Sequence, residues 1–301
     1  MVVPYRMAQE AKALEAATGY KVNWKQFGGG GEVIKAMASG AVQVGEVGSA
    51  GISAAVSRGE PLELFWILDD IGDAEALVAR KGSGISKVAD LKGKRIAMPF
   101  NSTTHFHTMV ALDQAKINPA DVKILNMRPP EVRAAWLRGD IDATFIWDPV
   151  LAEAKKDGTV VITSGQITAS TGKATFDGYV ANKDWAKANR DFMVKFVKVM
   201  AAADAKYVAS GKSWKVDGPE VKAVSKWSGS KPEDVPAAMA LYKFPTAKDQ
   251  ASTWLGGGKA SIAAKALAAT AEFQLSQKQI EKTLPDYSVV VNASYAADAA
   301  K

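Results

Sequence analysis

Residues 31–59 read GEVIKAMASGAVQVGEVGSAGISAAVSRG, and residues 130–158 read PEVRAAWLRGDIDATFIWDPVLAEAKKDG. The two stretches align without a gap. Glu32 meets Glu131, Val33 meets Val132, Ala36 meets Ala135, Gly40 meets Gly139, Val42 meets Ile141 and Gly59 meets Gly158. Each copy predicts a helix, a glycine that ends it, a strand and a second helix. One reading is chance likeness between two strand–helix units. The other is a pair of related lobes, each presenting the carboxyl end of a strand at an equivalent place. Ligands of open α/β sheets sit at that end, so Val47-Gly48-Ser49 would face Ile146-Trp147-Asp148.

The surrounding sequence extends the alternation. Strands are predicted at 20–27, 42–47, 62–68, 95–100, 122–127 and 143–147. Helices are predicted at 32–39, 49–58, 103–115, 130–138 and 149–156. Such a pattern predicts an α/β fold with parallel sheets covered on both faces. Beyond it the chain turns helical. Asp191–Tyr207 carries an apolar stripe through Phe192, Phe196, Val199, Met200, Ala203 and Tyr207. Ser230 with Glu233 has the spacing of a capping box, and Ser261–Leu275 is an Ala-rich helix. These helices are expected to pack outside a lobe as an appendix. Pro4–Ala17 reads as a helix with no strand ahead of it. An alternating lobe should open on a strand, so the N-terminus looks shortened.

Composition narrows the function. The 301 residues are 48% hydrophobic, enough for one large or two medium cores. The net charge is +6, but Lys and Arg are scattered without a basic run, and no nucleic-acid motif accompanies them. There is no Cys, which excludes disulfides and thiol chemistry. No apolar stretch is long enough to span a bilayer, and MVVPYRMAQE at the start lacks the apolar core and cleavage site of a signal peptide. No GxSxG or HExxH occurs. The two histidines, His105 and His107, are two positions apart and point to different helix faces, so neither metal binding nor catalysis is expected.

Four features could carry binding chemistry. MPFNSTTHFH (98–107) follows a strand and opens a helix. Ser102 is a good N-cap and puts Thr103, Thr104 and His105 in the first turn. Free N–H groups, hydroxyls and the helix dipole then make an anion site without formal charge; a well-capped helix without ligand reads the same way. Gly28–Gly31 lacks the spacing of a phosphate loop and suits a turn that lets backbone approach a ligand. Glu75 and Asp177 each stand at an apolar strand-like run, either as solvated turn residues or as a pair that clamps a cation. Trp147 is core or pocket wall; its counterpart in the first copy is Gly48, which favours a wall present in one lobe.

Together, ADLKGKRIAMP (89–99), the STTH helix start, RPPEVRAAWLRGDIDATFIWDP (128–149) and SGAVQVGEVGS (39–49) resemble the taurine-binding proteins of bacterial ABC importers. Those belong to the wider aliphatic sulfonate and nitrate family of solute-binding proteins. The resemblance implies a two-lobed, type II periplasmic binding fold with a helical C-terminal appendix. Residues 1–77 and 178–301 would form lobe 1 and 78–177 lobe 2, with crossovers near 77–84 and 171–180. It implies taurine or a close aminosulfonate as ligand, with Ser49, Ser102, Thr103, Thr104, His105 and Trp147 around the sulfonate. Glu75 and Asp177 would hold the ammonium. It further implies no catalytic residue, metal or cofactor, a periplasmic location, a monomer, and an ABC permease with its ATPase as partner. The signal peptide and first strand of the family are missing, Ala50 and Gly51 leave hydrogen bonding beyond Ser49 open, and Asp148 is an extra acid that either favours a cationic ligand or caps the next helix. The alternatives are an enzyme on this fold, akin to a pyrimidine-precursor synthase with a reactive His105, and a cytosolic effector-sensing module.

Overall fold

The computed structural model describes residues 1–300. Eight strands form two sheets. The first holds β1 (Val44–Gly48), β8 (Phe176–Asn182) and β2 (Leu62–Asp70), with β8 central and antiparallel to both neighbours. The second runs β5 (Lys123–Asn126), β4 (Arg95–Met98), β6 (Ala143–Trp147), β3 (Glu75–Arg80), β7 (Gly158–Thr163). There β4 is parallel to β5 and β6, whereas β3 is antiparallel to β6 and β7. The first sheet is therefore antiparallel and the second mixed, and neither is parallel throughout as alternation alone suggested. A parallel neighbour needs a long crossover, and β3 and β8 instead arrive directly from the other sheet.

The chain changes sheet at 71–74 and again at 172–175. The cut expected at 77/78 thus falls inside β3, which ladders with the second sheet from Glu75 onward, and the cut at 177/178 falls inside β8. The repeated units take the same form in both lobes. The first is α3 (Gly30–Ala38), β1 and α4 (Ser49–Ser57); the second is α6 (Pro129–Arg138), β6 and α7 (Val150–Asp157). Gly40 at φ 74° and Gly139 at φ 79° both lie in the left-handed region that follows a helix end.

Three expectations of local structure are not met as stated. Tyr20–Phe27 is not a strand: it pairs with no ladder, although β1, paired with β8 alone, leaves one edge of the first sheet open. The helix expected over Pro4–Ala17 is α1 (Tyr5–Glu10) and α2 (Ala13–Thr18), broken where Lys12 turns to φ 51°. The Ser230 hydroxyl is buried without a partner, so no capping box forms there.

Helices α5 (Thr103–Gln114) and α8 (Ser164–Thr171) cover the second sheet; α9 (Lys183–Ala188) and α10 (Arg190–Ser210) follow β8. The helix Ile262–Ser276 does more than pad a lobe. Ser53 of α4 donates to the Leu267 carbonyl at 2.8 Å, and Gln274 donates to the Ala50 carbonyl at 3.0 Å, which fixes the start of α4 from behind. The first core is aromatic: Phe65, fully buried on β2, packs its ring against Tyr179, Phe196 and Tyr295. Phe65→Ala should cost about 3–5 kcal/mol of stability, read as a lower denaturant midpoint with little change in slope.

Candidate functional site

A cleft of about 1130 Å³ opens between the sheets, walled by Val47 and Gly48 from the first and by Trp147 and Asp148 from the second. Its floor is where two helix starts meet. Gly48 ends β1 and caps α4; Ser102 caps α5, its Oγ accepting from the His105 N–H at 3.2 Å. The approach is close. A Cβ on Gly48 would stand 2.9 Å from the Thr103 methyl and 3.2 Å from Asp177 Oδ1, and one on Gly51 would stand 3.3 Å from the Asn101 carbonyl. The glycines therefore let the positive ends of α4 and α5 converge, with the first-turn N–H groups of both unused by the helices themselves.

Beside this floor lie carboxyl groups. Glu75 opens β3 directly opposite Trp147 of β6. It is 3% exposed; its Oε1 accepts from the Thr103 hydroxyl at 2.5 Å, and its Oε2 lies 3.2 Å from Ser164 Oγ. Asp177 of β8 faces Gly48 on one side and Asp69 of β2 on the other. Asp69 is fully buried, and neither of its oxygens has a hydrogen-bond partner. Glu46 accepts from the Tyr5 hydroxyl at 2.5 Å and lies 3.8 Å from Arg6. Burial, then the charge of Asp177, pushes Glu75 up to about 8. Burial, then Glu46, pushes Asp177 up to about 7, and burial followed by Asp177 raises Asp69. The cause is shared: several acids are desolvated together, and among the described residues no Lys or Arg pairs with Glu75, Asp69 or Asp177.

Of the residues expected around a ligand, Ser102, Thr103, Trp147, Glu75 and Asp177 line this cleft. Three side chains do not. Ser49 is fully buried and accepts from the Phe176 N–H at 3.3 Å; Thr104, also buried, holds Ser102 Oγ at 2.8 Å. His105 stacks on Phe100 with ring centres 4.4 Å apart, and burial pushes its pKa down to about 4, so it is neutral. Helical geometry explains this: one turn can aim only part of its side chains at the cleft, and the rest anchor it. Asp148 accepts from the Ala152 N–H at 2.8 Å and so caps α7, although it also borders the cleft. Sequence reasoning missed Glu46, Asp69, and the His107–Ser164 pair behind Glu75. An acid ending the apolar run LELFWILDD was the one available signal for Asp69. Among the described residues, no group of three or more His, Asp or Glu is arranged to hold a metal ion.

Residues 11–210 match the family described as NMT1/THI5 like. The chain is 34% identical over 292 residues to the taurine-binding periplasmic protein of Escherichia coli (strain K12), covering 97% of this chain and 89% of that one. It is 30% identical over 186 residues to a putative aliphatic sulfonates-binding protein of the same organism, covering 62% of this chain and 57% of that one. Its fold is similar to that of the alkanesulfonate-binding protein SsuA from Xanthomonas axonopodis pv. citri bound to MOPS. That likeness has TM-score 0.74 and 21% identity, and spans 98% of this chain and 93% of that one. The chain belongs to the NMT1/THI5-like family.

The Thr103 hydroxyl stabilises the ionised form of Glu75. Thr103→Val should therefore move the Glu75 midpoint further up from about 8, followed by carboxyl carbon NMR across the pH range.

Proposed function

We propose that this NMT1/THI5-like protein is an extracytoplasmic solute-binding protein that captures taurine or a close aminosulfonate for an ABC importer. One observation carries the reading: buried carboxyls that pair with no Lys or Arg among the described residues stand beside two converging helix starts in a single cleft. The helix starts offer N–H donors and positive dipole ends to an anion that stays ionised at every physiological pH. Glu75 and Asp177 offer countercharge to an ammonium group. The two poles lie side by side, since Thr103 at the anion end touches Glu75 at the cation end. That closeness suits a zwitterion whose charges are two carbons apart. Trp147, directly opposite Glu75 in the sheet, provides an apolar wall beside those carbons.

Capture would close the cleft. The cavity is far larger than taurine, so a small ligand gains contacts from both lobes only if they approach. The crossovers at 71–74 and 172–175 are the places where such a motion would hinge. The closed complex would then dock as a monomer on an ABC permease with its ATPase, in the periplasm where the named relative resides. No helix among the described residues is long and apolar enough to cross a membrane. The enzyme reading gains nothing from His105, which is stacked on Phe100 and neutral.

Calorimetry with taurine, ethanesulfonate, MOPS and nitrate tests the reading. Taurine should bind more tightly than ethanesulfonate; equal affinity would remove the role given to the carboxyls. Glu75→Gln and Asp177→Asn should each weaken taurine binding by about 1.5–3 kcal/mol, the scale of a charged hydrogen bond, while leaving binding of ethanesulfonate nearly unchanged below the midpoints of these acids and strengthening it above them.

The pH dependence follows from the raised midpoints. In the empty cleft Glu75 and Asp177 hold protons up to about 8 and 7 respectively, and an ammonium requires them ionised. Affinity should rise with pH through that window and fall below it. Stability of the empty protein should run the opposite way: folded-state midpoints above the unfolded values favour folding at low pH, and that contribution is lost as pH rises past the folded midpoints. Thermal melts with and without taurine from pH 5 to 8.5 should diverge as pH rises.

A further inference from the structure

Behind Glu75, away from the cleft, lies a buried chain of three groups. His107 is fully buried on α5 and Ser164 is 1% exposed at the start of α8. His107 Nε2 is 2.9 Å from the Lys173 carbonyl, His107 Nδ1 is 2.8 Å from Ser164 Oγ, and Ser164 Oγ is 3.2 Å from Glu75 Oε2. A carbonyl oxygen only accepts, so Nε2 carries a hydrogen. In a neutral imidazole Nδ1 is then bare and must be the acceptor. Ser164 has one hydrogen, and Nδ1 takes it. The Ser164 oxygen can still accept, and the atom left to donate to it is Glu75 Oε2.

We propose that His107 is a positioning residue: acting through Ser164, it holds Glu75 as a protonated donor in the empty cleft and so sets the pH at which the cleft accepts a cation. The inference rests on the ammonium-binding role given to Glu75 above. Burial also pushes the His107 pKa down to about 4, which keeps the imidazole neutral at ordinary pH. The rings beside it are Phe106 and Phe145, which offer it no charge. Around Glu75, the carboxyl of Asp177 on β8 opposes ionisation and the Thr103 hydroxyl on α5 favours it, as does Ser164 on α8 wherever its hydrogen points at the carboxylate. Trp147 on β6 adds no charge. Ser164 is the hydroxyl whose direction is undecided without His107. With His107 present its hydrogen points away from Glu75; without His107 it is free to donate to the carboxylate and stabilise it.

The chain has two histidines, so nitrogen NMR of the empty wild-type protein, with His105→Asn for assignment, reads the His107 tautomer directly. The expected result is a neutral ring protonated at Nε2 from pH 6 to 8. A ring protonated at Nδ1 would make Ser164 a donor to Glu75 and overturn the proposal. His107→Leu should lower the Glu75 midpoint by about one pH unit or more, the shift typical of gaining a hydrogen bond to the charged form. The pH at which taurine affinity is half lost should move down with it, and His105→Asn should move neither. An unchanged or raised Glu75 midpoint in a folded His107→Leu protein would also overturn it. If that variant does not fold, the wild-type tautomer decides. If taurine does not bind wild type, the ligand assignment fails while the tautomer and the Glu75 titration still decide the role of His107.

Discussion

The structure turns on a desolvation problem. Glu75, Asp177 and Asp69 are buried where the two sheets meet, and among the described residues no Lys or Arg pairs with them. Uncompensated buried charge is among the most costly arrangements a protein can hold, and groups so placed take up protons instead. The cluster is therefore quiet while protonated and strongly attractive to a cation once ionised. Other features of the cleft are arranged around it: neutral hydroxyls from Thr103 and Ser164 touch Glu75, and Trp147 stands opposite it in the sheet.

A second constraint fixes the anion end. Two helices can aim their first turns at one point only if the chain between strand and helix has almost no bulk. Gly48 satisfies that condition, because a methyl group there would meet both Thr103 and Asp177. Ser102, Thr104 and Ser49 then spend their side chains on holding the turns in place. First-turn backbone N–H groups are left free of the helices' own bonds and available to the proposed ligand. This division, with side chains anchoring and backbone binding, is economical for an anion with no need of formal countercharge. The C-terminal helix contributes by holding α4 from behind through Gln274 and Leu267.

The adjacency of the two poles separates this cleft from a simple anion site. With Thr103 bonded to Glu75, a sulfonate bound at the helix starts as proposed would sit beside an acid. Such a site repels a plain sulfonate whenever Glu75 is ionised and welcomes one that carries its own ammonium. Selectivity for a zwitterion then comes from negative as well as positive contributions, and the proton on Glu75 becomes the variable that balances them.

The sequence by itself determined the lobes' common unit and pointed to five residues of the cleft, Ser102, Thr103, Trp147, Glu75 and Asp177. The gapless match of 31–59 with 130–158 requires only local periodicity and glycine helix ends, and both are properties of the chain. The STTH helix start and the acids Glu75 and Asp177 were legible for the same reason: capping and strand position are local. What only the tertiary structure decided is non-local. Whether Tyr20–Phe27 becomes a strand depends on its meeting a ladder partner, and it lies against none although one edge of β1 is open. Whether the sheets are parallel depends on how β3 and β8 enter them. Asp69 and His107 looked like the end of an apolar run and a spare histidine. Their neighbours Asp177 and Ser164 lie far along the chain, and a proton's location depends on what is packed against it.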